Sequence, residues 1–145
     1  YGPDELAQQM DSDVLAKTKA VADETGAVIE ISSDPECLKG ADVLYTDIWA
    51  SMGEEAEIPA RVKLLTPYRV TMEMIEKTEN PDVIFLHCLP SFHDFETDMA
   101  KEQMALGYDI REVTDEVFRS RYSRVFDEAE NRMHSIKAVI VATIA

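Results

Sequence analysis

The chain has 145 residues, of which 46% are hydrophobic and 30% are charged, and this is the composition of a folded globular domain. Its 14 basic and 29 acidic residues give a net charge of −15, which disfavours nucleic acid and anionic membranes as partners because both would be repelled. Two cysteines, Cys37 and Cys88, are too few for a disulfide framework and favour a reducing, cytoplasmic compartment. No apolar run reaches the roughly 18 residues that a membrane span needs.

Helix-type and strand-type patterns alternate along the sequence, which begins with Tyr1 rather than Met and is therefore expected to continue a longer polypeptide. The predicted helices cover residues 14–25, 59–65, 71–78, 96–106, 115–119 and a final segment from about 123, with a short helical turn after Pro35. The predicted strands cover residues 28–32, 42–47, 83–89 and 110–114. This alternation predicts a single α/β domain with a parallel sheet flanked by helices.

The final helix carries a stripe of apolar side chains at helical spacing, which predicts an amphipathic helix. The residues of this stripe are Val125, Ala129, Met133, Ile136, Ile140 and Ile144.

Residues 83–90 (VIFLHCLP) form the most informative segment. An apolar run without polar alternation is typical of a strand buried on both faces of a parallel sheet. Pro90 lacks an N–H and ends the strand, so His87 and Cys88 lie at its carboxyl end, where open α/β sheets place their ligand sites. Neighbouring side chains point to opposite faces of a strand, so His87 and Cys88 are poorly suited to act as a catalytic dyad. Cys88 is interpreted either as a packed core thiol or as a ligand contact, and His87 as a structural residue.

Asp47 ends the preceding predicted strand in the same way. It is either a turn residue or, if the two strands are neighbours, a carboxylate that shares a crevice with Cys88 and receives a substrate ammonium. The segment that follows it, residues 48–55 (IWASMGEE), contains Ser51 and Met52 and is either an acidic surface loop or a clamp for a zwitterionic group.

Arg132 lies in residues 128–137 (EAENRMHSIK) of the last predicted helix. It is either the partner of Glu128 in an exposed i,i+4 pair or a donor to an anionic or carbonyl oxygen. The three histidines show no metal-ligand spacing, and no phosphate-binding glycine motif or hydrolase elbow occurs, so the sequence does not favour a zinc site, a nucleotide site or a hydrolase site.

Taken together, the HCLP segment, the D-x-W-x-S-M-G-E-E loop, residues 113–118 (VTDEVF) and the Arg132 helix resemble ornithine carbamoyltransferases in order and spacing over essentially the whole chain. The resemblance implies transfer of a carbamoyl group from carbamoyl phosphate to the side-chain amine of L-ornithine, without a cofactor, in a trimer or a multiple of trimers. It also implies a Rossmann-like ornithine-binding fold.

The family's site residues are carried over onto matching positions only. The resemblance implies that Asp47, Ser51 and the Met52 backbone hold the amino-acid end of ornithine. It further implies that Cys88 and the Leu89 carbonyl lie beside the reacting amine and the carbamoyl group, and that Arg132 contacts the carbamoyl oxygen.

The family's S-x-R-T phosphate cradle and H-P-x-Q segment have no counterpart in the chain, and neither do the opening strands of its ornithine domain. We therefore expect residues 1–145 to be a partial ornithine-binding domain that lacks the carbamoyl-phosphate domain and is inactive alone. Two alternatives stay open: a non-catalytic amino-acid-binding module of the same fold, and a transferase for a related diamine or acylated ornithine.

Overall fold

The computed structural model describes residues 1–51 and 53–144, and the chain divides into two compact units, residues 1–38 and residues 39–145. Each unit is described by itself below. None of the helices in the described residues is both long enough and apolar enough to cross a membrane.

The first unit is built around one helix of 14 residues. It contains α1 (Asp4–Ala7), α2 (Ser12–Thr25) and a 3₁₀ turn (Pro35–Leu38). The Asp11 side chain accepts hydrogen bonds from the first free amides of α2, and Gly26 ends the helix at φ +77°. The helix predicted at residues 14–25 is confirmed.

The predicted strand at residues 28–32 is wrong. These residues form no strand in the structure, and Val28, Ile29 and Ile31 are exposed. A β-type run becomes a strand only when a neighbour pairs with its backbone groups. Among the described residues, the backbone pairing here is limited to one bond, from Gly2 N to Ser32 O at 3.0 Å.

The second unit contains the sheet and five helices within its described residues. Its strands are β1 (Val43–Thr46) and β2 (Ile84–His87). Its helices are α3 (Ile58–Leu65), α4 (Met72–Lys77), α5 (Asp98–Ala105), α6 (Asp115–Phe118) and α7 (Val125–Ile144), and 3₁₀ turns cover Glu55–Glu57 and Thr66–Tyr68.

The two strands pair in parallel, from Val43 opposite Ile84 to Thr46 opposite His87. A parallel pair requires a crossover, which the helices between residues 47 and 83 provide. The α/β class with a parallel sheet flanked by helices is thereby confirmed. The buried core around the sheet includes Leu44, Val70, Ile75, Val83, Phe85, Val113, Val117, Phe118 and Val125, and a further buried cluster is formed by Ile58, Ala100 and Ile110.

The predicted strand at residues 110–114 is reduced to a single parallel bridge between Val113 and Val70. Its backbone groups are nevertheless satisfied, since Val70 N donates to Glu112 O and Thr114 N donates to Val70 O, both at 3.0 Å. The segment is fully buried at Val113 but is too short to count as a strand.

Helix α7 is longer than its buried part. Only Val125, at its first position, is buried among its described residues, whereas Met133, Ile136 and Ile144 are exposed by 49–79%. The helix prediction is confirmed. Its apolar stripe is uncovered beyond the first turn in the described part of the chain.

Candidate active site

The register of the sheet brings Asp47 and Cys88 together. Thr46 pairs with His87, so the next residue of each strand leaves the sheet beside the other. The Cys88 thiol donates to Asp47 Oδ1 at 2.8 Å, and the same oxygen accepts the Ile48 amide at 2.7 Å. A carboxylate and a thiol are thus in direct contact at the carboxyl edge of the sheet.

The electrostatics of this pair fix its protonation. Burial, the hydrogen bond to Asp47 and the negative charge of Asp47 raise the pKa of Cys88 to about 11. The hydrogen bond from Cys88 lowers the pKa of Asp47, with help from the Ile48 amide and the charge of His87, although partial burial opposes this. At neutral pH the pair is therefore a neutral thiol that donates to a carboxylate. Cys88 is chemically a hydrogen-bond donor rather than a thiolate nucleophile.

The His87 side chain makes a fully buried contact with Glu112 rather than with the Cys88 thiol. His87 Nε2 lies 3.3 Å from Glu112 Oε1, and both side chains are 0% exposed. The other ring nitrogen, Nδ1, hydrogen-bonds the Cys88 carbonyl. Burial acts to lower the pKa of His87, but the Glu112 carboxylate and the Cys88 carbonyl raise it by more. The imidazole therefore links a buried carboxylate to the backbone beside the thiol.

Glu112 also fixes the chain on the far side of Pro90. Its Oε1 accepts the Phe92 amide at 3.1 Å, and its own amide donates to Phe92 O at 3.2 Å. The peptide bond between Leu89 and Pro90 is cis, and Leu89 is 39% exposed. Through His87 and Phe92, one buried carboxylate thus holds both ends of the segment that carries Cys88 and Leu89.

The start of α7 reaches the end of β2. The Glu128 carboxylate accepts the His87 amide at 3.1 Å, and it raises the pKa of the Tyr45 hydroxyl by a hydrogen bond. Arg132 follows Glu128 by four residues, a rise of about 6 Å along the helix, and is exposed. In the part of the chain that the structure describes, the Arg132 side chain makes no ion pair, so the alternative Glu128–Arg132 pair does not form.

The loop after Asp47 is closed by its own carboxylates. The Ser51 amide donates to Glu54 Oε2 and the Gly53 amide donates to Glu55 Oε1, each at 3.0 Å. Ser51 is exposed. Met52, which the resemblance assigns to substrate binding, lies outside the described residues.

Two arginines, Arg61 and Arg69, hold this loop by contacts with Trp49. Arg61 on α3 donates to the Trp49 carbonyl at 3.1 Å and lies 3.8 Å from a Glu54 oxygen. The Arg69 guanidinium lies 5.5 Å from the centre of the Trp49 ring, which is itself buried. A cation over an indole face is an attractive contact, so Trp49 is held between backbone and side-chain interactions.

A mostly apolar cavity of about 210 Å³ opens next to Ser51. Neither Asp47 nor Cys88 lines it. The residues around it include Trp49, Ser51, Arg61, Pro90, Phe92 and Met99.

A second polar cluster lies where the loop after Pro90 meets α6. His93, Asp94 and Asp115 each bring one potential ligand atom to within 4.8 Å of the others. His93 Nδ1 is 2.7 Å from Asp115 Oδ1, its ring stacks on Phe118 at 3.7 Å, and Arg119 pairs with both carboxylates at 2.8 Å and 3.5 Å. These ion pairs account for the cluster without a metal ion.

The sequence predictions missed the roles of Glu112, Arg61 and Arg69. Glu112 is two residues from both Ile110 and Thr114, so in a strand the three side chains would share one face. Because Ile110 is apolar, this spacing was a usable signal that Glu112 is buried. Nothing in the sequence around Arg61 or Arg69 indicated that either side chain supports the loop, because both contacts depend on tertiary folding.

The parallel strand pair and its helices define an α/β domain, and Asp47 and Cys88 lie at the carboxyl edge of its sheet, where open α/β sheets bind ligands. The model of the aspartate/ornithine carbamoyltransferase family, Asp/Orn-binding domain, matches residues 1–143, and the chain belongs to this family.

Similar proteins carry the name of the ornithine branch. The chain is 61% identical to a catabolic ornithine carbamoyltransferase of Clostridium perfringens, over 98% of this chain and 43% of that protein. The crystal structure of the anabolic ornithine carbamoyltransferase of Campylobacter jejuni is similar with a TM-score of 0.73 at 30% identity, over 91% of this chain and 38% of that one. The enzyme of Gloeobacter violaceus gives 0.69 at 32% identity, over 93% and 39%. The chain thus spans less than half the length of the relatives it matches.

Proposed function

We propose that residues 1–145 form part of the ornithine-binding domain of an ornithine carbamoyltransferase. The complete protein would transfer the carbamoyl group of carbamoyl phosphate to the side-chain amine of L-ornithine and release L-citrulline and phosphate. The observation that carries this proposal is the hydrogen bond between Cys88 and Asp47 at the carboxyl edge of the sheet. Membership of the family and the names of its similar members support it.

Asp47 and Cys88 suit the amine in this reaction. The side-chain amine of ornithine is protonated in water and must lose its proton before it attacks the carbamoyl carbon. Asp47 stays ionised because its pKa is lowered, so it attracts the ammonium and orients it. Cys88 stays a thiol because its pKa is raised to about 11, so it takes part as a polar wall beside the amine and not as a nucleophile.

The amino-acid end of ornithine is assigned to Asp47, Ser51 and the Met52 backbone. Ser51 is exposed and lies four residues beyond Asp47, on the loop that Arg61 supports through Trp49. A hydroxyl and backbone amides can bind the carboxylate of an α-amino acid, a group that a simple diamine lacks. This assignment therefore favours a free α-amino acid over putrescine.

The carbamoyl group is assigned to the Leu89 carbonyl and Arg132. Negative charge develops on the carbamoyl oxygen as the amine attacks, and a guanidinium or another preorganised donor stabilises it. Arg132 is suitable because it is exposed and one helical turn beyond Glu128, which touches the backbone of β2. The residues that hold the phosphate are proposed to lie in a separate carbamoyl-phosphate domain. We further propose a cytoplasmic protein that assembles as a trimer or a multiple of trimers.

Citrulline formation tests the proposal. The complete polypeptide that contains this chain should convert L-ornithine and carbamoyl phosphate to citrulline and phosphate in equal amounts, and residues 1–145 alone should not exceed the uncatalysed background. A complete polypeptide that binds L-ornithine but makes no citrulline would instead support a non-catalytic amino-acid-binding module. Sedimentation of the complete protein tests the trimer.

A further inference from the structure

The loop next to the proposed ornithine site already binds two carboxylates, and both belong to the loop itself. The Ser51 amide donates to Glu54 Oε2 and the Gly53 amide to Glu55 Oε1, at 3.0 Å in each case. Gly53 has a φ of +91°, a conformation that glycine adopts without strain. The backbone of this loop is therefore shaped to present N–H groups to carboxylate oxygens.

The two glutamates are held only lightly. Glu54 has a second partner in Arg61, but the distance of 3.8 Å is long and both side chains are partly exposed, at 44% for Glu54 and 31% for Arg61. Glu55 is exposed, and the Gly53 amide lowers the pKa of its carboxyl group, so it is charged at neutral pH. Exposed charged contacts of this kind are weak and exchange readily.

We propose that Glu54 and Glu55 occupy, in the ligand-free loop, the amide donors that the α-carboxylate of the substrate takes over when it binds. The two side chains are internal competitors, and they set the affinity of the site for an amino acid that carries a free carboxylate. This inference rests on the proposed function, because it takes the Ser51 loop as the seat of the amino-acid end of ornithine.

Competition by the glutamates and simple bracing of the loop predict opposite changes in the affinity for ornithine. If the glutamates compete with the substrate, replacing either one by glutamine weakens its hydrogen bond to the loop amide, because the acceptor is no longer charged, and also removes a repulsion. Ornithine then binds more tightly. If they only brace the loop, removing them disorders it and weakens binding. The substrate carboxylate replaces the glutamate carboxylate before the amine attacks. Competition therefore changes KM and leaves kcat unaltered.

The test uses the complete polypeptide with the variants Glu54→Gln and Glu55→Gln. The matched control is Glu57→Gln, which removes the same charge from an exposed residue of the same short helical turn. Ornithine KM and kcat are measured for each variant. Inhibition by L-ornithinamide, in which a neutral amide replaces the carboxylate, is measured as well.

We expect Glu54→Gln and Glu55→Gln to lower ornithine KM by about threefold or more relative to Glu57→Gln, the size of one exposed charged contact. Values of kcat and the inhibition constant of L-ornithinamide should stay the same. A KM that is equal to or higher than that of the control overturns the inference, and so does an equal change for L-ornithinamide, which would indicate a general effect of charge.

A second measurement does not depend on turnover. In amide NMR spectra of residues 1–145, the Gly53 resonance should follow the titration of the Glu55 carboxyl group and shift in Glu55→Gln but not in Glu57→Gln. The inference is overturned if the Gly53 resonance neither follows the titration of Glu55 nor shifts in Glu55→Gln. A wild-type protein that makes no citrulline overturns the proposed function instead, while the NMR result still decides whether the loop holds its own carboxylates.

Discussion

Cys88 Sγ donates to Asp47 Oδ1 at 2.8 Å, although 41 residues separate the two in sequence. Each residue follows the last position of a paired strand, so the contact is a consequence of the register of β1 on β2. The contact lowers the pKa of the carboxyl group, and it adds to burial in raising the pKa of the thiol.

The first prediction concerns the reactivity of this thiol. At pH 7 to 8, iodoacetamide should alkylate Cys88 slowly because its pKa of about 11 leaves little thiolate. Asp47→Asn removes the negative charge that raises this pKa, so the rate should increase several-fold although burial still opposes ionisation. Rates are measured by mass spectrometry in a Cys37→Ser background, so that Cys88 is the thiol observed. An equal or slower rate in Asp47→Asn would show that the carboxylate does not control the thiol.

The second prediction concerns turnover by the complete polypeptide. Cys88→Ala removes a polar group from the wall proposed to face the amine, and kcat/KM for ornithine should fall by about tenfold, the value of one hydrogen bond. Cys37→Ala, a thiol outside the proposed site, should have little effect. Steady-state kinetics with ornithine varied at saturating carbamoyl phosphate provide the measurement. Unchanged kcat and KM in Cys88→Ala would remove Cys88 from the site.

The third prediction concerns the buried contact between His87 and Glu112. Glu112→Ala leaves the imidazole without its ion-pair partner and the Phe92 amide without its acceptor, and it should lower the free energy of unfolding by about 3 kcal/mol. Glu112→Gln should cost less because its amide oxygen can still accept from Phe92. Urea unfolding of the chain measures both, with Glu116→Gln on the exposed side of α6 as the control for charge.

The same contact predicts a dependence on pH. Because the pKa of His87 is raised above 6.5 in the folded chain, its stabilising effect is complete below that pH and is lost as the pH rises through the raised value. As the pH rises above about 6.5 the free energy of unfolding should therefore decline, by at most about 1.4 kcal/mol per pH unit from this group. The decline should be smaller in Glu112→Gln. An identical slope in wild type and variant would show that Glu112 does not hold the proton on His87.

The fourth prediction compares two arginines that differ in burial. The side chain of Arg69 is 15% exposed and donates to the carbonyl oxygens of Arg111 and Asp109 at 2.6 Å and 3.2 Å. Arg69→Ala should lower the free energy of unfolding by about 2–3 kcal/mol, since these carbonyls lose their donor. Arg119→Ala should cost less than about 1 kcal/mol because that side chain is 64% exposed. Equal costs, measured by chemical denaturation, would contradict the assignment of Arg69 as an internal support.

Local signals predicted the helices well. In the structure, Asp11 and Gly26 lie at the two ends of α2, and the Thr71 side chain accepts the Met74 amide at the start of α4. Residues of these types cap helices through their own chemistry, which is a local property of the sequence. Strands were predicted less well. Residues 28–32 and 110–114 have strand-type sequences, but a strand exists only where a second segment satisfies its backbone, and that partner is not written in the segment itself.

Sequence patterns predicted the family, the α/β class and the two strand ends that carry Asp47 and Cys88, because strand-ending residues and motif spacing can be read along the chain. The folded structure was needed to find that the thiol donates to the carboxylate, that His87 contacts a buried Glu112, and that Glu54 and Glu55 accept the amides of their own loop. These contacts join residues through register, burial and side-chain direction. Such interactions depend on distances in space, which a linear pattern of residues does not specify.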